Sequence, residues 1–401
     1  MKVTLISQYY PPEQGAVRYS WHVAKGLAAR GHEITVIAGL PHFPTGKPHA
    51  AFGRFIPKIR VEESVRVIRT PMVMGSNTQS LCRIFGFISF SISALLWAVL
   101  GPRTDVIIAS VPPATSAVSG SIASWIRGCP FIVILRDIEP WRALKMRGWD
   151  GRASGRAFIA LFMWIYRRAR QVVVMHEREV PYLVEQGVAP GRIKVVPHGV
   201  DFAHPPCPND SPPRIPRRPG RSLFLYAGTI GLVHGVHQFL EALAEPRIRR
   251  LPIDVVIIGD GQYKPECRRI VEARNLENVS LLPAIPPEQV AGALAQADVL
   301  VCCFRDGDDI PLCSKFYEYC SAGKPILVYG TNLAGDMVRQ IGNGVSCAAD
   351  NTGSQLAAVS DLVTNSEEWR RRGLQGRAYA QEHFSQVLRD EQWEQMLGSQ
   401  G

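Results

Sequence analysis

A chain of 401 residues, 46% hydrophobic and 20% charged, is too long for one ordinary core and too apolar for disorder. It reads as a globular protein of two domains, roughly 150–200 residues each. The net charge of +10 suits an anionic partner, whether nucleotide, nucleic acid or lipid surface, and does not choose among them. Nine scattered cysteines with no Cys-x-x-Cys pair argue against a disulfide framework or a zinc site and read as buried thiols of a reducing cytoplasm.

The chain opens on a strand. Val3–Ile6 is apolar throughout, as in a strand covered on both faces, and is too brief for a secretory signal. The loop Tyr9-Tyr10-Pro11-Pro12-Glu13-Gln14-Gly15 follows, with Arg18 just beyond it. A helix carrying Trp21, Ala24, Leu27 and Ala28 stops at Gly31, a natural residue to end it. Ile34–Ala38 is the next strand, and residues 40–47, with His42 and Lys47, leave it. Both loops are expected to open onto one crevice, where His42 and Lys47 either meet an anionic acceptor or are solvated. From Ile84 to Pro102 no residue is formally charged. That length is borderline for a bilayer span. Gly86, Ser89, Ser91 and Ser93 dilute it, so a buried or membrane-dipping helix is expected.

Val106–Ala109, Phe131–Leu135, Val172–Met175 and Lys194–Val196 are further short β runs with helical patterns between most of them. Such alternation implies a parallel, doubly wound sheet. Arg136, Asp137 and Glu139 follow the second of these runs, at the carboxyl end that lines the ligand crevice of open α/β sheets. An ordinary surface loop is the alternative.

Seven prolines between Ala203 and Gly220 forbid a helix or a central strand there and mark an interdomain connection. The alternation then restarts. Strands are expected at Leu223–Ala227, Asp254–Ile258, Val279–Leu282, Val299–Cys303 and Ile326–Tyr329, with helices near 236–245, 264–275, 287–296, 314–322 and 333–341. Ser366–Leu397 reads as helical. The domains are therefore 1–202 and 221–382, joined by 203–220, with a C-terminal helix 383–401 packing back on the first. No short-period repeat is present.

Two constellations in the second domain carry chemistry. Gly228-Thr229-Ile230-Gly231-Leu232-Val233-His234 lies between a strand and a helix, where glycine lets the backbone approach a phosphate and the helix start favours its charge. The same pattern also makes an ordinary tight turn. Lys315 and Glu318 are three residues apart and share a helical face. A lysine there can neutralise a diphosphate and a carboxylate can accept from vicinal ribose hydroxyls; an exposed ion pair of little value is the alternative.

Taken together, these motifs resemble glycosyltransferase family 4. The Pro-Pro-Glu-x-Gly loop, the Gly31-His32-Glu33 helix end, Val195-Val196-Pro197-His198-Gly199-Val200-Asp201, Ile258-Gly259-Asp260-Gly261 and Glu318-Tyr319-Cys320-Ser321-Ala322-Gly323-Lys324-Pro325 are similar to that family's blocks, in order, over nearly the whole chain. The resemblance implies the GT-B fold, two Rossmann-like domains of doubly wound parallel sheet facing across a cleft. It also implies retaining transfer of a sugar from a nucleoside diphosphate, UDP being the expected carrier. Gly15, Gly228, Thr229, Gly231, His234, Gly259, Lys315 and Glu318 would meet the donor. Asp137 and Arg136 would stand at the reacting centre, Asp137 positioning or accepting a proton. Arg18, His42, Lys47 and Glu139 would face the acceptor.

Arg136-Asp137-Ile138-Glu139-Pro140, Ser314-Lys315 and the 42–47 loop resemble the bacterial surface-polysaccharide subgroup that includes N-acetyl-fucosamine transferases. This implies an N-acetylated amino sugar, a lipid-linked saccharide acceptor, and peripheral contact of segment 84–102 and the basic surface with an anionic membrane at the inner face of the plasma membrane. A soluble acceptor such as an antibiotic aglycone or aminocyclitol, and a GT-B nucleotide-sugar epimerase, are the alternatives. No nucleic-acid signature is present and no cofactor or metal is expected, although Asp306-Gly307-Asp308 has Asp-x-Asp spacing.

The chain departs from the family pattern. Thr229 and His234 stand where many members carry an Arg and a Lys on the diphosphate, Ile310 stands eight before Glu318 where a second Glu is usual, and Arg136 and His198 replace a His and an Asn. Lys315 is expected to supply the missing charge.

Overall fold

The computed structural model describes residues 1–13, 18–42, 46, 49, 52, 57–74, 80–145, 148–202, 213–304 and 312–398. The chain forms two compact units. One comprises Met1–His198 with Arg389–Gly401; the other is Gly199–Leu388.

In the first unit β1 (Lys2–Ile6), α1 (Arg18–Ala29) and β2 (Glu33–Gly39) are followed by β3 (Lys58–Glu62) and β4 (Val65–Thr70). Then come α2 (Ser80–Leu100), β5 (Val106–Val111), α3 (Thr115–Arg127), β6 (Phe131–Leu135), α4 (Trp141–Lys145), α5 (Ala153–Arg168), β7 (Gln171–Val174), α6 (Val180–Glu185) and β8 (Ile193–Val195). The strand order is β3-β4-β2-β1-β5-β6-β7-β8. All neighbours are parallel except β3, which runs antiparallel to β4 at the edge. The sheet is apolar on both faces because successive side chains alternate. Ile107, Val133 and Val172 meet Phe90, Ala94 and Ala98 of α2, Ala117 of α3 and Phe162 of α5. Ile108, Ile132 and Val173 face the other way, with Tyr19 and Leu27 of α1 and Trp393 near the C-terminus.

In the second unit β9 (Ser222–Ala227), α7 (Val236–Leu243), α8 (Pro246–Arg249), β10 (Ile253–Ile258), α9 (Lys264–Ala273), β11 (Val279–Leu282), α10 (Pro287–Gln296) and β12 (Val299–Cys303) come first. They are followed by α11 (Ser314–Ser321), β13 (Ile326–Tyr329), α12 (Leu333–Ile341), β14 (Gly344–Cys347), α13 (Thr352–Thr364) and α14 (Ser366–His383). The last helix of the chain is α15 (Gln386–Gly398). The strand order β11-β10-β9-β12-β13-β14 is parallel throughout. Leu225, Leu300 and Val328 face α10, α11, α12 and α14; Phe224, Val299 and Leu327 face α7, α9 and α13.

The structure departs from the sequence expectation in several places. Neither the β3–β4 pair nor the edge strand β14 and the helix α13 after it were anticipated. The stretch 366–397 is two helices, interrupted at Phe384–Ser385, where Val200 bridges to Ser385, donates its N–H to Phe384 (2.7 Å) and accepts from Gln386 N–H (2.8 Å). Phe384 packs edge-on to Tyr317 there, so tertiary contact rather than a breaker residue ends α14.

Candidate functional site

In an open parallel sheet the strand order reverses at one point, and the carboxyl ends on either side leave a gap that connecting loops do not cross. In the second unit that point lies between β9 and β12. The loop leaving β9 carries Gly228, Thr229, Gly231 and His234, and the chain from β12 leads into α11 with Lys315 in its first turn. The order of strands brings together motifs nearly ninety residues apart in the chain.

Gly228 has φ +148°, and a β-carbon there would lie 2.6 Å from Lys315 Cε and 2.8 Å from Nζ. The lysine side chain thus lies across the backbone of the loop, which only glycine permits. Gly259, at φ +152°, leaves no room for a β-carbon against the Gly228 carbonyl. The loops after β9 and β10 therefore touch backbone to backbone. Gly231 has an extended φ of −117° and precedes a short 3₁₀ turn, Leu232–His234, so this loop enters α7 through that turn.

Lys315 is buried, and its Nζ has no hydrogen-bond partner among the described residues. Its nearest company is the face of Tyr226, 3.8 Å from Nζ to ring centroid. A cation over an aromatic face gains about 0.5–2 kcal/mol. An ammonium deprived of water and of acceptors forfeits more than that. The arrangement is short of an anion. His234 does not add a second charge: burial, then Lys315, hold its pKa down to about 3. Its Nδ1 is buried without a partner among the described residues, and its ring stacks on Phe304. Lys264, which the sequence reading passed over, donates to the carbonyls of Gly259 (2.7 Å) and Leu282 (3.1 Å) and so fastens the loop. Thr229 accepts the Tyr226 hydroxyl at its carbonyl (2.6 Å). Glu318 lies one turn after Lys315 and is partly exposed.

In the first unit the order reverses between β1 and β5. Glu13 is buried and receives the N–H groups of Tyr10 (3.2 Å) and His42 (2.9 Å). It thereby ties the loop after β1 to the loop after β2. Arg69, the penultimate residue of β4, reinforces this by donating to the carbonyls of Tyr10, Gly39 and Pro11. His42 is buried, its Nδ1 2.9 Å from the Leu40 carbonyl and its ring stacked on Tyr9. Arg18 is exposed at the start of α1.

At the end of β6, Arg136 is buried and Asp137 partly exposed. Asp137 accepts from Arg142 of α4 (2.8 Å), whose other nitrogen stands 3.8 Å from Glu179. Glu139 receives the Ala114 N–H (3.1 Å); burial, and then Asp137, raise its pKa to about 7. Burial likewise raises Glu179 to about 7, against the pull of Arg142. His198, half-buried edge-on to Tyr19, is held near 3 by desolvation and by Arg136 and Arg389, hence neutral.

Gly15, Lys47 and the 306–310 stretch with its Asp-x-Asp spacing lie outside the described residues. The sequence reading missed Arg69, Arg142 and Glu179. Each is a lone charge, and its partners become visible only once the strands are ordered.

The family described as "Glycosyl transferase 4-like domain" matches residues 14–199, and "Glycosyl transferases group 1" matches 209–379. The chain is 25% identical to WcaI of Escherichia coli K12, named as a glycosyl transferase of colanic acid biosynthesis, over 80% of this chain and 82% of that one. Its fold is similar to sucrose-phosphate synthase from Thermosynechococcus elongatus (TM-score 0.76, 16% identity, 99% and 98% of the two chains). It is also similar to Anabaena HepE in complex with UDP and glucose (TM-score 0.71, 16% identity, 100% of both). The two parallel-sheet units are those of the GT-B fold.

Proposed function

Because the chain belongs to the glycosyltransferases, with family matches along both halves, we propose that it moves an N-acetylated amino sugar from UDP to a lipid-linked saccharide. The transfer retains anomeric configuration and serves assembly of a surface polysaccharide at the cytoplasmic face of the membrane. The naming of WcaI for colanic acid biosynthesis and the UDP in the HepE complex support this reading.

The observation that carries it is the buried ammonium of Lys315, without a hydrogen-bond partner among the described residues, beside Gly228 at the switch point of the second sheet. In this reading Lys315 and the amides of Thr229 and Gly231 hold the diphosphate and stabilise it as it leaves, without a metal ion; the Gly228 N–H is taken by the Ile258 carbonyl (2.9 Å), and that glycine serves by leaving room for the lysine. Glu318 accepts from the ribose hydroxyls. His234, neutral, hydrogen-bonds to the donor rather than neutralising it, and Gly259 keeps room for the loop. In the first unit Asp137, held by Arg142, orients the acceptor hydroxyl and takes its proton. Arg136 supports it, and Arg18, His42 and Glu139 shape the acceptor side.

A soluble acceptor requires that segment 84–102 be fully buried. Ile84, Phe85, Ile88, Ile92, Leu96 and Leu100 are exposed, which favours the lipid-linked one. An epimerase would turn over donor in water without a second sugar. The test is a thermal-shift series with UDP, GDP and UDP-sugars on wild type and Glu318→Ala. UDP is expected to raise Tm in the wild type and to raise it less in the variant. No response to any nucleotide in the wild type would sink the donor assignment; an undiminished response in the variant would sink the role of Glu318.

A further inference from the structure

The carboxyl end of β12 and the start of α11 bring two thiols together beside the lysine. Successive residues of a strand point to opposite faces. Leu225 of β9 is paired with Leu300 of β12, and the next residues on the same face are Ala227 and Cys302, all in one buried cluster. The helix α11 is laid over that spot, its Tyr319 hydroxyl accepting the Ala227 N–H at 2.8 Å. Cys313 is the residue from which α11 starts, and spacings of three and four residues set Phe316 and Cys320 on the same inward side. Cys302 is fully buried and Cys313 half-buried. The Cys302 S–H donates to the Cys313 sulfur.

This pair is set apart chemically. Burial pushes the thiols of Cys267 and Cys320 up, to about 11 and about 12, which makes them inert. Cys313 goes down, to about 7: the Cys302 S–H, then the Lys315 ammonium and the first N–H groups of α11, favour its thiolate over the cost of burial. A half-buried thiolate with a second thiol behind it has the parts of a redox pair: one sulfur to react and one to resolve.

We propose that Cys302 and Cys313 close into a reversible disulfide on exposure to a hydroperoxide, and that closing it weakens nucleotide binding at Lys315. The Cys313 thiolate attacks the O–O bond and becomes a sulfenic acid as hydroxide leaves. The Cys302 sulfur then attacks the Cys313 sulfur, and its proton joins the departing hydroxyl as water. Two thiols and one hydrogen peroxide thus give one S–S bond and two waters, and a dithiol reductant reverses the bond by exchange. The coupling rests on the reading that a diphosphate sits at Lys315. An S–S bond of about 2 Å draws the start of α11 toward β12. Lys315, two residues on, has no slack, being packed across the Gly228 backbone with its Nζ over Tyr226. A bound diphosphate conversely offsets the lysine charge that favours the thiolate and slows its oxidation.

The experiment treats the full chain with hydrogen peroxide, with and without UDP, then alkylates the remaining thiols and maps the peptides by mass spectrometry. A linked Cys302–Cys313 peptide is expected, formed more slowly when UDP is present. UDP affinity, read by calorimetry, should fall about tenfold in the linked protein and return with dithiothreitol. Cys313→Ser, which keeps a residue suited to a helix start, should hold its UDP affinity through the peroxide treatment. Cys302→Ser should stop at the sulfenic acid of Cys313, which dimedone traps, and thermal melts show that both variants fold. Peroxide that oxidises other cysteines without linking these two overturns the proposal, as does a linked protein that binds UDP like the reduced one. Reduced wild type indifferent to UDP would sink the donor reading and the coupling with it. The linked peptide needs no nucleotide and decides the pair by itself.

Discussion

The ammonium of Lys315 stands 3.8 Å above the centroid of the Tyr226 ring, and the ring is fixed in turn by its hydroxyl, which donates to the Thr229 carbonyl at 2.6 Å. The aromatic face holds the charge in place without satisfying its three N–H donors. A diphosphate brought to this point supplies acceptors and a countercharge together.

Replacing Lys315 by Met keeps length and removes the charge. The expected result is an unchanged or higher Tm, because an unsatisfied buried charge is gone, with UDP affinity reduced roughly 10–100-fold, the worth of a charge-assisted hydrogen bond. Uridine, which lacks the diphosphate, should bind both proteins alike. Calorimetry with UDP and uridine reads this directly, and an equal loss for both ligands would place Lys315 away from the phosphates.

Gly228→Ala tests the same geometry from the backbone side. The new methyl meets Lys315 Cε at 2.6 Å, and φ of +148° is strained for any L side chain. A loss of about 1–3 kcal/mol is expected. Part of it should return in Gly228→Ala/Lys315→Ala, where the overlapping atoms are absent. Strict additivity in that double-mutant cycle would mean the two residues do not meet.

Gly26→Ala reverses the usual rule for helices. Alanine inside α1 would ordinarily add about 1 kcal/mol. Here its methyl overlaps the Asp390 carboxylate, which Arg389 and Arg30 hold from two sides. Destabilisation of about 1–3 kcal/mol is expected. Gly151→Ala, whose methyl meets open space, serves as the control in the same melts.

What was legible in the chain follows from burial. Phe131–Leu135 and Val299–Cys303 read as strands because a parallel sheet covered on both faces needs unbroken apolar runs, and the structure places strands at those bounds. Lys58–Glu62 is an exposed edge strand rich in charge, so it carried no such signal. The interruption at Phe384 has no glycine or proline; its cause is Val200, far off in the chain. The glycine loop and the Lys315–Glu318 helix were each visible as motifs. That the lysine lies across Gly228 depends on β9 standing next to β12, which no local pattern encodes. Arg69 and Arg142 were invisible for the same reason, since the groups they hold come from other loops.

Glu139 ties stability to pH. Burial, then Asp137, raise its pKa from an ordinary 4.5 to about 7. A carboxyl whose folded value lies above its unfolded one binds more protons when folded, so its contribution is fully present below about 4.5 and is lost as pH rises through 7. Glu139→Gln keeps the shape and an acceptor for the Ala114 N–H while removing the ionisation. Wild type and variant should therefore melt nearly together at pH 4, where the carboxyl is protonated in both states. At pH 8 the variant should be the more stable, by up to about 3 kcal/mol at ~1.4 kcal/mol per unit. Glu179, raised to about 7 as well, acts in the same direction, but Arg142 lowers its pKa and would lose a partner in Glu179→Gln. The glutamine at 139 is thus the cleaner probe. Melts of the two proteins across pH 4–8 that stay parallel would show that Glu139 ionises in the fold as readily as in the open chain.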